Sequence, residues 1–312
     1  MSKIILYYKY ITISDPEAMV NWQRELCLSL NLLGRILIAK EGINGTLGGS
    51  EQSIEHYKSV MSHHELFADI DFKESVGNDK HFPKLKVIVK NEIVKLGLDT
   101  ELIKAEDGGI HLTPGQVHEF IKSNLNNDDL VLLDTRNDYE SNIGTFVNAV
   151  TCNTRTFREF PSYIDQNTEI FKGKKVIMFC TGGVRCERAS AYLKSKNVAD
   201  EVYQIKGGIH KYIEAHPDGF FRGKNYVFDG RIATQVTNDI LAQCEHCHIT
   251  FDEYTNCFNA ECNRQIIVCP QCIEIYHNTC SEVCMELVLN LKVNVRKKSI
   301  QRDLGSSINT NK

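Results

Sequence analysis

Apolar and polar positions along this chain alternate in some stretches and recur at helical spacing in others, which divides it into elements. Residues Lys3 to Ile13, rich in Ile and Tyr, predict a strand. Ser14-Asp15-Pro16 then starts a helix, because Ser or Asp caps free N–H groups and Pro suits the first turn. Met19, Trp22, Leu26, Leu30 and Leu33 recur every three or four residues and give one apolar face, with Cys27 packing beside it. Arg35 to Ala39 reads as a strand, Asn44-Gly45 as a tight hairpin turn, and Ile54, Tyr57 and Met61 as the inner face of a second helix. Strands near Phe67 to Phe72 and Leu85 to Lys90 complete a βαββα order with further strands, the pattern of an α+β sandwich over residues 1–93.

A linker over 94–112, polar and glycine-containing around Ala105 to Gly109, leads into a second pattern. Thr113-Pro114-Gly115-Gln116 is a capping box that opens a helix to Asn124. Leu130 to Asp134, Ala149 to Cys152, Val176 to Cys180 and Glu201 to Gln204 are short strands alternating with helices, which predicts a parallel sheet covered on both faces across 113–222. Reactive side chains of such sheets gather at the carboxyl ends of strands. Cys180 sits at one such end, whereas Cys152, ending another, reads as structural.

The length of 312 residues exceeds what one core usually serves and implies two or three domains. A net charge of −4 gives no global signature of a nucleic-acid binder, so any such contact rests on local patches. No apolar run reaches the roughly 18 residues of a membrane span, and the first residues lack an export-type apolar core, so a soluble, cytoplasmic protein is expected. Of twelve cysteines, eight lie between Cys244 and Cys284, a distribution that suits cytosolic thiols and metal ligands better than a disulfide framework.

The chemistry concentrates in Cys180-Thr181-Gly182-Gly183-Val184-Arg185, between a buried strand and a helix predicted from Cys186 to Lys196. Amides of Gly182 and Gly183, the helix dipole and the Arg185 charge converge there and lower the thiol pKa, which predicts an exposed, nucleophilic thiolate. Four residues separate Cys180 from Arg185, one fewer than in the protein tyrosine phosphatase loop, so the loop suits something smaller than phosphate, such as a persulfide terminus. Cys186 offers two readings, a thiol that resolves an oxidised Cys180 or a packed core cysteine.

The loop resembles that of the rhodanese domain. Leu133-Asp134-Thr135-Arg136 with Glu140 and Gly144 is similar to its early motif, and Gly207-Gly208 with Tyr212 to its closing one. Asp134, Arg136 and Glu140 then support the loop as an ion-pair network rather than react. Beyond this, Lys40-Glu41-Gly42-Ile43-Asn44-Gly45-Thr46, His81-Phe82-Pro83-Lys84-Leu85-Lys86-Val87 and Phe221-Arg222-Gly223-Lys224-Asn225-Tyr226-Val227-Phe228-Asp229, with the late cysteines, resemble the bacterial tRNA uridine hydroxylase family over nearly the whole chain. The resemblance implies oxygen-dependent 5-hydroxylation of the wobble uridine (uridine 34) in the tRNA anticodon loop, with Cys180 matching the essential cysteine. The competing readings are a sulfurtransferase that passes persulfide sulfur to a thiol or RNA, and a non-enzymatic RNA adaptor. No flavin fingerprint or iron-binding triad stands out, so no catalytic cofactor is identified; molecular oxygen and a sulfur or electron donor remain the expected partners. Lys40, Lys80, Lys84, Lys86 and Lys90 read as phosphate contacts or a solvated face.

Cys244/Cys247, Cys257/Cys262, Cys269/Cys272 and Cys280/Cys284 form four close pairs in a module over 223–290. Two pairs together would give each of two structural zinc ions a thiolate shell, in a pairing that spacing does not reveal, with disulfides or free thiols as the alternative reading. His246, His248 and His277 read as loop histidines, and the tail over 291–312, with Lys292, Arg296, Lys297, Lys298 and Arg302, as a solvated basic end. The fold expected is α/β: a rhodanese domain with a parallel sheet, preceded by a ferredoxin-like (acylphosphatase-like) α+β domain and followed by a small cysteine-rich module.

Overall fold

A computed structural model describes residues 2–77, 82–125 and 127–295; Lys80, His81 and the tail cations Arg296, Lys297, Lys298 and Arg302 lie outside the described residues. The chain forms two compact units, Met1–Asp239 and Ile240–Lys312.

The first unit opens with β1 (Ser2–Tyr10), α1 (Pro16–Ser29), β2 (Leu33–Ala39), β3 (Gly42–Ser50), α2 (Glu51–Ser62), β4 (Lys73–Gly77) and β5 (Leu85–Val89). The strands lie in the order β4-β1-β3-β2-β5; all pairs are antiparallel except β2 with β5. Alternation along each strand sorts the side chains onto two faces. Ile5, Tyr7, Ile36, Ile38, Ile43 and Leu47 join Val20, Cys27, Ile54, Tyr57 and Met61 of the two helices in one core. Leu6, Tyr8, Arg35, Leu37, Asn44 and Thr46 take the opposite face, which lines a cleft.

Three expectations change here. Asn44-Gly45 is not a turn but the middle of β3, opposite Tyr8 and Tyr7. The reversal occurs at Lys40-Glu41, and Gly42 follows it at φ 148°, where a Cβ would stand 2.1 Å from the Lys9 carbonyl. Phe67 to Phe72 is not a strand, because successive local bonds, Phe67 N–H to His64 O at 2.9 Å and Ile70 N–H to Phe67 O at 3.0 Å, coil it into turns; the strand follows as β4. The α1 face is rotated so that Met19, Val20, Gln23 and Cys27 are its buried residues, with Trp22, Leu26 and Leu30 at the margin.

The rest of the unit runs β6 (Ile110–Leu112), α3 (Pro114–Ser123), β7 (Leu130–Asp134), α4 (Asp138–Ser141), β8 (Gly144–Phe146), β9 (Val150–Thr151), α5 (Phe160–Gln166), β10 (Lys175–Phe179), α6 (Val184–Ser195), β11 (Glu201–Ile205), α7 (Gly208–Ala215), β12 (Phe221–Tyr226) and β13 (Ala233–Gln235). The parallel sheet has the order β6-β11-β10-β7-β9 with a core on each face. The capping box at Thr113 and Gln116 forms as expected. The stretch read as a linker is packed: Leu96 is buried, Arg188 of α6 donates to the carbonyls of Leu98 and Ile103, and its last residues supply β6.

The second unit contains β14 (Tyr254–Asn256) paired antiparallel with β15 (Gln265–Ile267), then α8 (Pro270–Ile275) and α9 (Glu282–Leu289). Its core is small and mostly cysteine: Cys244, Ile266, Val268, Cys269 and Cys272. Among the described residues no helix is long and apolar enough to cross a membrane.

Candidate active site

Cys180 follows β10, and the chain passes through Gly183, in the left-handed region at φ 102°, into α6. The Gly183 N–H donates to the Cys180 sulfur at 3.1 Å. Burial pushes the thiol pKa up. The donating Cys186 thiol, the Arg185 charge and the N–H groups of Arg185 and Gly183 outweigh it and hold Cys180 well below the usual thiol range, at about 5. Cys186, the donor, is pushed up by its own burial and by the neighbouring sulfur. Both cysteines belong to the same buried core cluster, and the Cys186 sulfur also lies 3.7 Å from Thr135 Oγ1.

The thiolate is not exposed, as the loop chemistry suggested, but fully buried at the floor of a cleft. The cause lies in the preceding sandwich. β1 crosses the loop: a Cβ on Gly182 would meet Leu6 at 2.8 Å, and one on Gly183 would meet the Tyr8 hydroxyl at 2.7 Å. Tyr8 donates to Glu187 Oε1 at 2.8 Å, and Tyr10 to the Val184 carbonyl at 3.2 Å. Glu187 also accepts from Gln204 and contacts His111 Nε2, both at 3.0 Å. Neither Tyr8 nor Glu187 was found from sequence; the signal was the Tyr8/Tyr10 alternation, whose partner no spacing rule could supply.

Arg185 is engaged rather than aimed freely at the sulfur. Its guanidinium donates to both carboxylate oxygens of buried Glu140, at 2.5 and 2.7 Å, and more weakly to Thr181 Oγ1 at 3.4 Å. Asp134 and Arg136 form a second, fully buried pair, with Arg136 Nη2 2.6 Å from Asp134 Oδ2 and 2.5 Å from the Gly144 carbonyl, which ties β7 to β8. Cys152 donates to the Asp134 carbonyl at 3.3 Å, a packing role. Gly207-Gly208 does more than turn the chain: the N–H groups of Ile209 and His210 bind the carbonyls of Cys180 and Thr181 at 2.9 and 3.0 Å.

The cleft, about 1400 Å³, runs between the open face of the first sheet and this loop. Leu6, Leu37 and Val89 give it an apolar wall, Tyr139 and Phe228 flank Arg185, and Arg35, Lys90, Lys95 and Arg158 lie around it. Of the lysines noted in the sequence, Lys90 alone among those described lines this cleft; Lys40 lines a separate groove, and Lys84 and Lys86 line neither.

In the second unit the sulfurs of Cys244, Cys247, Cys269 and Cys272 lie within 4.8 Å of one another, as do those of Cys257, Cys262, Cys280 and Cys284. The pairing is therefore interleaved, first pair with third and second with fourth. Sulfur separations of 3.7 Å (Cys247 to Cys269) and 3.6 Å (Cys262 to Cys280, Cys280 to Cys284) match the edge of a tetrahedron built on bonds of about 2.3 Å, so the donor sets fit zinc. His246 bonds the Thr279 carbonyl instead.

A cysteine loop at the end of a central parallel strand, underpinned by Glu140–Arg185 and the α7 amides, defines a rhodanese-domain protein. Residues 117–215 match the model of the rhodanese-like domain, 2–93 that of the UPF0176 acylphosphatase like domain, and 222–285 that of the rhodanase C-terminal region. The chain is 39% identical over 301 residues to the tRNA uridine(34) hydroxylase of Corynebacterium jeikeium, covering 92% of this chain and 96% of that protein. It is 40% identical over 292 residues to that of Aster yellows witches'-broom phytoplasma (90% and 91%) and 40% over 285 to that of Cytophaga hutchinsonii (90% and 89%). The chain belongs to the tRNA uridine(34) hydroxylase family.

Proposed function

We propose that this protein hydroxylates C5 of uridine 34 in the anticodon loop of tRNA, in the cytoplasm, with Cys180 as its nucleophile. The observation that carries the reading is a thiolate held below the usual thiol range at the floor of a cleft roomy enough for nucleotides, in a chain that shares about nine-tenths of its length with proteins named for this reaction. Addition of the thiolate to uridine C6 moves an electron pair onto C5. C5 then takes one oxygen atom derived from molecular oxygen, loses its proton, and the sulfur departs with the C6 bond pair. The second oxygen atom leaves as water with two electrons from an external reductant. The amide of Gly183 and the charge of Arg185 stabilise the sulfur anion before attack and as it leaves.

The deciding experiment is mass spectrometry of tRNA nucleosides from a strain lacking its own hydroxylase and carrying this chain. Wild type restores 5-hydroxyuridine and Cys180→Ser does not; normal 5-hydroxyuridine with Cys180→Ser overturns the assignment. Turnover of thiosulfate and cyanide by purified protein, without tRNA hydroxylation, would favour the sulfurtransferase. In the second unit, Cys244, Cys247, Cys269 and Cys272 would hold one zinc ion and Cys257, Cys262, Cys280 and Cys284 another. Four thiolates close each shell, so the metal organises the fold and offers no position to substrate.

A further inference from the structure

The first sheet buries one face under α1 and α2 and turns the other toward the cysteine loop, where half-buried Leu6 and Leu37 line the cleft. Apolar side chains left partly open in a cleft of this size suit an occupant that brings apolar surface of its own. The surrounding charge says which. Arg35, Lys90, Lys95 and Arg158 make no salt bridge among the described residues. Of the acids that line the cleft among the described residues, Glu92 is held by Arg188 at 2.5 Å, leaving Asp99 as the other. The occupant is therefore polyanionic and also has flat apolar surfaces. A nucleic acid with unstacked bases has both; a duplex hides its base faces.

Phe228 narrows the reading to one position. Its ring is 55% exposed yet fixed, with the Arg185 guanidinium 5.7 Å from its centroid and Tyr226 edge-on at 5.3 Å. An exposed ring held beside the reactive loop, at the cleft wall, is the geometry of a stacking platform. We infer that Phe228 stacks the target base over Cys180 while the single-stranded loop runs along the open sheet face, its phosphates met by Arg35, Lys90, Lys95 and Arg158. This rests on the hydroxylation reading and adds the surface that delivers the base.

The test is equilibrium binding of a synthetic anticodon stem-loop to the full chain carrying Cys180→Ser, which separates binding from chemistry. Adding Phe228→Ala weakens binding about tenfold, and Phe228→Tyr, which keeps the ring, restores it. Arg35→Ala with Arg158→Ala flattens the salt dependence by about 0.7 in log–log slope for each phosphate that is no longer neutralised. Lys172→Ala, an exposed change outside the cleft, alters neither. Unchanged binding with Phe228→Ala, an unchanged slope with the double arginine variant, or a blunt duplex binding as tightly as the stem-loop each overturns the inference. None of these touches the hydroxylation reading, which fails on its own terms if Cys180→Ser still forms 5-hydroxyuridine.

Discussion

Glu140 receives both terminal nitrogens of Arg185, at 2.5 and 2.7 Å, with both side chains out of solvent. The cation that lowers the Cys180 pKa is thus fixed by a carboxylate from α4, 45 residues earlier in the chain. Removing that carboxylate charge strands a buried guanidinium, so Glu140→Gln is expected to destabilise the first unit by about 3–5 kcal/mol and to lower kcat more than it raises KM. Urea unfolding and steady-state hydroxylation measure the two effects. Arg185→Lys, which keeps a charge but cannot make the two-pronged contact, should recover neither fully.

A cysteine nucleophile reacts as its thiolate, so under the proposed role of Cys180 the sign of its pKa shift sets the pH profile. A lowered pKa keeps the reactive form present at neutral pH and loses it only as pH falls through about 5, whereas an ordinary thiol would already be mostly protonated at pH 7. The alkylation rate of Cys180 by iodoacetamide, followed by peptide mass, should therefore be flat from pH 8 down to about 6. Cys186→Ala removes the thiol that donates to the sulfur, and the midpoint of the profile should move up.

Gly208 has its φ at 65°, and a Cβ there would stand 2.4 Å from the Cys180 carbonyl and 2.8 Å from the Gly183 nitrogen. Gly208→Ala forces the reactive loop to shift. Strain at positive φ and the steric clash together should cost about 2–4 kcal/mol, with slower alkylation of Cys180 as the sign that the loop itself has moved. Gly115→Ala, at a site where a Cβ meets nothing within 4 Å, should leave alkylation unchanged and slightly stabilise α3.

The site was legible in sequence as far as local rules reach. Cys180, its amide-rich loop and Arg185 lie within six residues, and the strand before them is a continuous apolar run, so both the loop at the strand's end and the parallel sheet could be read directly. What covers the sulfur could not be. Leu6 and Tyr8 are more than 170 residues away, and alternation told only that they share a face, not that this face roofs another domain's loop. Asn44-Gly45 misled for a related reason: the dipeptide satisfies hairpin-turn chemistry, yet Gly45 is small because the Tyr7 ring lies across it, with its nearest atom 2.3 Å from where a Cβ would be.

The interleaved cysteines would make the two proposed zinc positions interdependent. The segment from Cys257 to Cys262 lies between the ligand pairs of the first cluster, and Cys269 to Cys272 lies between those of the second, so neither cluster closes a loop without enclosing part of the other. With so small an apolar core, most of the folding free energy of the second unit would come from the metal; structural zinc supplies about 10–16 kcal/mol in small domains. Purified protein should hold two zinc ions per chain by elemental analysis. Cys269→Ser, which breaks the first shell alone, should release both ions together and open residues 240–295 to protease, with the alkylation rate of Cys180 recorded as a separate readout of the first unit. Loss of a single ion with the second unit still protease-resistant would show that the clusters fold independently, and a chain purified without zinc whose second unit resists protease would remove the metal from the account altogether.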